Sequence, residues 1–275
     1  MKNFIIRAIT SVFIIAVVVG AFLLRQLVDT RLMHILFYLF AVGGTLEMVR
    51  ALGDKMTTFN KYVIVAVSLT LIPLYVFLGA NAIAILAITA GVVILISMVF
   101  DFENTTLEKT GCAFLALVYP NLLLIPMVLT NEISNALIAL ILIFVIAPVA
   151  DGAAYIIGSL IKGPKLCEKV SPKKTISGAI GGLIGGTLAS VIFWLVYAKG
   201  MVLSNQTAEL ILFIVIGVLG SLFTELGDLI EGAIKRKLAI KDMGKLLPGH
   251  GGVLDRIDGN MICAVFVYGV FMFIG

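Results

Sequence analysis

The chain has 275 residues, of which 61% are hydrophobic and 13% charged, and its mean hydropathy is +1.15. Soluble domains carry about 25% charged residues, so this composition excludes a water-soluble particle and makes a bilayer the solvent for most of the chain. The net charge of +4 is modest and unevenly distributed, and it gives no ground for a nucleic-acid partner.

A helix needs about 20 mostly apolar residues to cross roughly 30 Å of hydrocarbon. Nine stretches meet that requirement: 8–24, 32–50, 62–79, 82–100, 112–130, 134–150, 176–198, 208–231 and 260–275. The first follows Lys2 and Arg7 and could pass for a signal peptide. No small-x-small cleavage site leads into a polar mature sequence, so an uncleaved span is expected. The fourth and fifth contain no charged residue, the sixth is short, and the eighth carries acids at its end. In the seventh, Gly178, Gly182 and Gly186, with Gly181 and Gly185, recur at the spacing of close helix packing. Trp194 and Tyr197 are expected at that span's outer interface.

Orientation follows from the basic residues. With the N-terminus in the cytoplasm, 17 of the 20 Lys and Arg residues fall on that side, leaving Arg25, Arg31 and Lys199 outside, as the positive-inside rule requires. The expected fold class is all-α: a polytopic transmembrane helical bundle of about nine spans with a cytoplasmic N-terminus. Residues 1–130 read as an N-terminal transmembrane bundle. Residues 131–275 read as a catalytic region with two long basic cytoplasmic loops, 151–175 and 232–259. Cys112, Cys167 and Cys263 stand far apart without metal-site spacing and read as reduced apolar filler.

Ionisable groups inside spans are costly and usually face a polar cavity or one another. Glu47, Asp151, Glu225, Asp228 and Glu231 lie in or at the cytoplasmic ends of apolar runs. The last three share a helix face at three-residue spacing, where mutual repulsion calls for a cation or basic partners. Glu231 reads equally as a solvated helix end paired with Lys235 and Arg236, and Glu47 is open between lining the cavity and pairing with Arg50, the pair being favoured. Next come Lys235-Arg236-Lys237, Lys241-Asp242, the turn Leu247-Pro248-Gly249-His250-Gly251-Gly252, and Asp255-Arg256-Ile257-Asp258. Basic side chains neutralise phosphate oxygens, and a glycine-rich turn lets backbone N–H groups approach an anion. Asp255 and Asp258, one helical turn apart, suit Mg²⁺. His250 is open between protonating a leaving group and bonding backbone within the turn.

The run from Lys235-Arg236 through Lys241-Asp242 to Leu247-Pro248-Gly249-His250-Gly251-Gly252-Val253-Leu254-Asp255-Arg256-Ile257-Asp258 resembles the signature of the phosphatidate cytidylyltransferases (CDP-diacylglycerol synthases). Gly227-Asp228 with Glu231 resembles that family's Gly-Asp-x-x-Glu-Ser, and Asp151-Gly152-Ala153-Ala154-Tyr155 its Asp-x-x-Ala-Tyr. Ser171-Pro172-Lys173-Lys174-Thr175 matches a segment that opens a later helix. The chain departs from the pattern in having Gly232 where the family has Ser, and Ser177-Gly178 where it often has Glu-Gly. The resemblance covers roughly the C-terminal 45% of the chain.

The resemblance implies an Mg²⁺-dependent enzyme that joins CTP to phosphatidic acid, giving CDP-diacylglycerol and pyrophosphate. It implies Asp228 and Asp255 in the metal site, with Asp258 next. Asp228, Asp255, Lys235, Arg236 and Arg256 would form the catalytic set, the three basic residues holding phosphates. Lys173 and Lys174 at a helix N-terminus, Lys241, Asp242, Gly249, His250, Gly251, Gly252 and Asp151 would bind substrate. The expected setting is a bacterial plasma membrane with the site facing the cytoplasm, and whether the protein is a homodimer stays open. Three rivals are weighed. A transporter of an anionic solute would spread its polar residues over several spans. Another lipid-headgroup enzyme could be a CTP-using polyprenol kinase or an alcohol phosphotransferase, and the latter would need a motif that Asp151-Gly152 only begins. The third is a catalytically dead scaffold, for which Gly232 is the only hint.

Overall fold

A computed structural model describes residues 2–274 of the chain. Met1 and Gly275, the last residue of the expected ninth span, lie outside the described residues. The helices are α1 (Lys2–Leu27), α2 (Met33–Leu52), α3 (Thr58–Leu78), α4 (Asn81–Phe100), α5 (Leu107–Val118), α6 (Ile125–Thr130), α7 (Ala136–Ile161), α8 (Ile176–Phe193), α9 (Gln206–Lys237) and α10 (Leu254–Ile274). Among the described residues nine segments are long and apolar enough to cross a membrane, α5 and α6 forming one of them. The protein is an integral membrane protein of all-α type, and each segment overlaps an expected span.

The chain divides into two compact units: the chain as far as Val128 together with Ile240–Arg256, and Leu129–Ala239 together with the chain from Ile257 onward. In the first unit Thr57 caps α3 by accepting from the Asn60 N–H (3.2 Å), and Thr106 caps α5 by accepting from the Lys109 N–H (3.2 Å). Serving an orphan donor of the first turn is what fixes these starts. The core holds Met33, Phe37, Met48, Ile64, Leu71, Ile94 and Leu117, all fully buried. The break between α5 and α6 is stabilised by Asn121, which donates to the Ala116 carbonyl (3.2 Å) and accepts from Thr45 Oγ1 (3.2 Å). Irregular backbone at membrane depth survives only with such internal partners.

In the second unit α8 lies against α7 through its small residues. A Cβ added at Gly178 would stand 2.8 Å from the Ala154 carbonyl oxygen, and one at Gly182 3.2 Å from that of Ala150. Asn260 donates to the Ile143 carbonyl (2.9 Å) and ties α10 to α7.

Four local expectations are corrected. The sixth span runs on to Ile161, so Asp151 lies inside a helix and does not open a loop. Ser171–Thr175 is the second strand, β2, of an antiparallel hairpin with β1 (Lys165–Cys167) and does not begin a helix; Thr175 then caps α8 by accepting from the Gly178 N–H (3.1 Å). Trp194 packs inside the protein and is not exposed to lipid headgroups: its Nε1 donates to Glu209 (2.7 Å), a fully buried carboxylate that also accepts from the backbone N–H groups of Gly200, Val202 and Leu203. Finally, α9 and α10 extend to Lys237 and back to Leu254, beyond the expected ends at 231 and 260.

Candidate active site

The second unit gathers carboxylates where α9 and α10 cross. A Cβ at Gly227 would stand 2.6 Å from the Asp258 carbonyl oxygen, and one at Gly259 2.8 Å from Thr224 Cγ2. Only glycine allows backbones this near. Beyond the crossing, Phe223 and Phe266 stack with ring centroids 5.3 Å apart. The result is that Asp228 and Glu231, on one face of α9, meet Asp258 of α10, each offering one oxygen within 4.8 Å of the others.

Basic residues partly answer this charge. Lys174, on β2, places Nζ 2.8 Å from Glu225 Oε1 and 2.5 Å from Asp228 Oδ2. Burial alone would push the Lys174 ammonium down, but the Asp228 and Glu225 carboxylates outweigh that and hold it above its ordinary range. Lys235 pairs with Glu231 one turn earlier on α9. Asp151 lies within electrostatic reach of Lys174, Asp228, Asp258 and Glu225. Five carboxylates thus face two ammonium groups.

That imbalance fits a cation. The three converging groups are all oxygen donors, and facing ligands of Mg²⁺ stand about 4 Å apart at Mg–O distances of about 2.1 Å. Adjacent ligands stand about 3 Å apart, so Asp228, Glu231 and Asp258, with oxygens within 4.8 Å of one another, form a group somewhat wider than an occupied site.

The first unit contains a separate cleft of about 630 Å³, lined by Arg7, Lys241, Asp242, Gly244, Lys245, Leu247, Pro248, Gly249, His250, Gly251 and Arg256. Four cations surround it against one acid. Its floor is a tight turn in which the Leu247 N–H donates to the Gly251 carbonyl and the His250 N–H to the Leu247 carbonyl, both at 2.9 Å. Gly249 (φ +76°) and Gly251 (φ +85°) occupy the left-handed region, which L side chains avoid.

Two carboxylates hold this turn from below. Buried Glu47 accepts from the N–H groups of Val253 and Leu254, both at 3.0 Å, at the start of α10. Gly244 and Gly252 make room, since a Cβ at either would overlap the Glu47 carboxylate. Asp255 Oδ2 accepts from the N–H groups of Gly252 (2.8 Å) and Met243 (2.9 Å).

The structure therefore distributes the residues picked out from sequence over two places. Asp228, Asp258, Lys174, Lys235 and Asp151 belong to the carboxylate group. Lys241, Asp242, Gly249, His250, Gly251 and Arg256 line the cleft, with Gly252 beneath it against Glu47 and Asp255 bound to the turn's backbone. Lys173 is exposed on β2, and Arg236 donates from Nε to the Val170 carbonyl (3.2 Å), bracing the hairpin against α9. Gly232 faces the same hairpin, where an added Cβ would stand 3.1 Å from Val170 Cγ1.

Sequence reasoning undervalued three residues. Glu231 completes the metal-sized group, and its three-residue step from Asp228 was the available signal. Glu47 takes its hydrogen bonds from the start of α10, with Arg50 an electrostatic neighbour; an acid in an apolar run flags such a residue but cannot name a partner 206 positions away. Arg7 counted only toward orientation, and nothing in its neighbourhood in sequence marks it as part of a cleft.

The sequence matches the profile of the Cytidylyltransferase family over residues 5–274. Among similar proteins, the phosphatidate cytidylyltransferase of Staphylococcus saprophyticus is 37% identical over 128 residues, 46% of each chain. That of Bacillus subtilis is 37% identical over 118 residues, 43% of this chain and 41% of its own. That of Thermotoga maritima is 32% identical over 182 residues, 65% of each. The matched stretch spans about half the length of the first two relatives and just under two thirds of the third.

Proposed function

Because this chain belongs to the cytidylyltransferase family, we propose that it transfers the cytidylyl group of CTP to phosphatidic acid, releasing pyrophosphate. The observation that carries this reading is the cleft in which Arg7, Lys241, Lys245 and Arg256 surround a glycine-rich turn. Concentrated positive charge over exposed backbone suits a polyphosphate, and the volume falls within the usual range of small-molecule sites, about 300–1,000 Å³.

In the reaction a phosphate oxygen of phosphatidic acid attacks the α-phosphorus of CTP, and the bond from that phosphorus to the bridging oxygen of the β-phosphate breaks. The nucleophile is already an anion at neutral pH, so no strong general base is needed. The difficulty is the approach of two polyanions. Lys241, Lys245 and Arg256 reduce that repulsion by neutralising phosphate oxygens, and Gly249 and Gly251 let the chain come close. Asp228, Glu231 and Asp258 would hold Mg²⁺, which supplies charge neutralisation for phosphate oxygens when bound. Lys174 holds Asp228 in place. Asp255 in this proposal shapes the turn through its backbone partners. The site faces the cytoplasm of a bacterial plasma membrane, in line with the distribution of basic residues.

The test uses detergent-purified protein with CTP, Mg²⁺ and phosphatidic acid, following pyrophosphate and CDP-lipid. Chelating divalent ions should abolish turnover. Asp228→Asn and Asp258→Asn should each lower kcat roughly 100-fold or more, the scale of losing one charge-stabilising group. Wild-type rates in both variants would falsify the metal assignment, and no CDP-lipid from the wild type would sink the activity itself.

A further inference from the structure

Helix α1 is the least buried of the nine candidate spans, with 6% of its most apolar stretch covered. Near residues 7–11 it is tied to the glycine-rich turn. Thr10, the one buried residue there, donates from Oγ1 to the Pro248 carbonyl (2.9 Å). Ser11 Oγ and His250 Nε2 exchange a hydrogen bond at 3.0 Å. The Arg7 stem crosses Gly249, where an added Cβ would stand 2.9 Å from Arg7 Cγ. Gly249 has φ +76°, so both its conformation and its neighbour exclude a side chain.

A basic residue beside a membrane span ordinarily anchors the helix among lipid headgroups. Here Arg7 lines the cleft with Lys241, Lys245 and Arg256, and two side chains on the next turn bind the helix to the cleft's floor. An anchor alone needs neither the shared cleft nor the latch.

We propose that α1 is part of the phosphate-binding apparatus: Arg7 grips a phosphate of the reactant in the cleft, and Thr10 and Ser11 are positioning residues that latch the helix to the turn. This rests on the cytidylyltransferase reading, which assigns the triphosphate of CTP to that cleft. Arg7 contributes a planar fork able to make two parallel hydrogen bonds to one phosphate, and it comes from the opposite end of the chain to the other three cations.

The experiment measures KM for CTP and for phosphatidic acid separately in full-length variants, with melting temperature in detergent as a folding control. Arg7→Ala should raise the KM for CTP roughly 10- to 100-fold, the range for losing a hydrogen bond to a charged group, with the KM for phosphatidic acid and the melting temperature unchanged. Arg7→Lys should recover part of the loss, because a point charge replaces the fork. Thr10→Val, which removes the latch and keeps the shape, should raise the KM for CTP by a smaller factor with kcat kept. A wild-type KM for CTP in Arg7→Ala overturns the inference and leaves the activity standing. A rise for phosphatidic acid alone also overturns it, by giving the cleft to the lipid phosphate. No CTP-dependent turnover by the wild type overturns the activity, and this inference with it.

Discussion

Glu47 shows how a single buried acid can organise a distant segment. Its two oxygens take the first N–H groups of α10 at 3.0 Å, where the helix dipole favours negative charge, and Gly244 and Gly252 exist in part to admit it. Removing the carboxylate leaves two buried donors unpaired, at about 1–3 kcal/mol each. Glu47→Ala should therefore destabilise the protein by roughly 3–5 kcal/mol, read as a fall in melting temperature in detergent; Glu47→Gln, which retains one acceptor, should lose less. An unchanged melting temperature in Glu47→Ala would mean the cap is dispensable. At this scale the sequence was readable in kind but not in pairing. The acids of α9 stood out because charge in an apolar run is expensive, yet which of them come together with Asp258 depended on a helix crossing that no local pattern encodes. Gly232 illustrates the converse. In sequence it stood out only as a departure from the family's Ser and the one hint of a dead scaffold, whereas in the structure the position packs on Val170 of the hairpin.

Among the elements, the α9–α10 crossing decides whether a metal-sized group exists. The backbones meet at Gly227 and Gly259, and the carboxylates follow. Gly227→Ala would press a methyl to 2.6 Å from the Asp258 carbonyl oxygen, and overpacking of this sort typically costs about 1–3 kcal/mol. The helices would part to relieve it and draw Asp258 away from Asp228 and Glu231. We expect Gly227→Ala to lower kcat at least roughly tenfold and to raise the Mg²⁺ concentration needed for half-maximal turnover; wild-type metal dependence would show that the crossing tolerates a side chain. All nine spans were legible, since an apolar run of about 20 residues is the plainest signal a sequence carries. Their ends were not. A charged residue looked like a boundary at Asp151, but 151–161 is otherwise apolar enough to continue the helix, and the acid instead faces other ionisable groups. The hairpin escaped notice because strands of three and five residues are too short for an alternation to declare itself.

For the whole molecule the proposal to be tested is sidedness. The 32 residues of α9 extend about 48 Å at 1.5 Å per residue, more than the roughly 30 Å of hydrocarbon. Its final turns, with Lys235, Arg236 and Lys237, can therefore stand in the headgroup layer. The structure carries the buried Glu209 latch at the start of this helix and the carboxylate group toward its end. Single cysteines placed in a cysteine-free background test the orientation. With the proposed arrangement, Lys199→Cys should react with an impermeant maleimide in intact cells, and Lys169→Cys only after the membrane is opened. The reverse pattern would invert the protein.

The return of Ile240–Arg256 to the first unit also sets an order of events during biosynthesis. Glu47 leaves the ribosome some two hundred residues before the amides it will serve, Val253 and Leu254, have been made. Until then an acid sits in an apolar surrounding with no permanent partner, and it must remain protonated or solvated while most of the chain is inserted. A nascent chain halted before residue 240 could contain nearly every span and still leave its first unit unfinished, because a late-made stretch completes an early-made one.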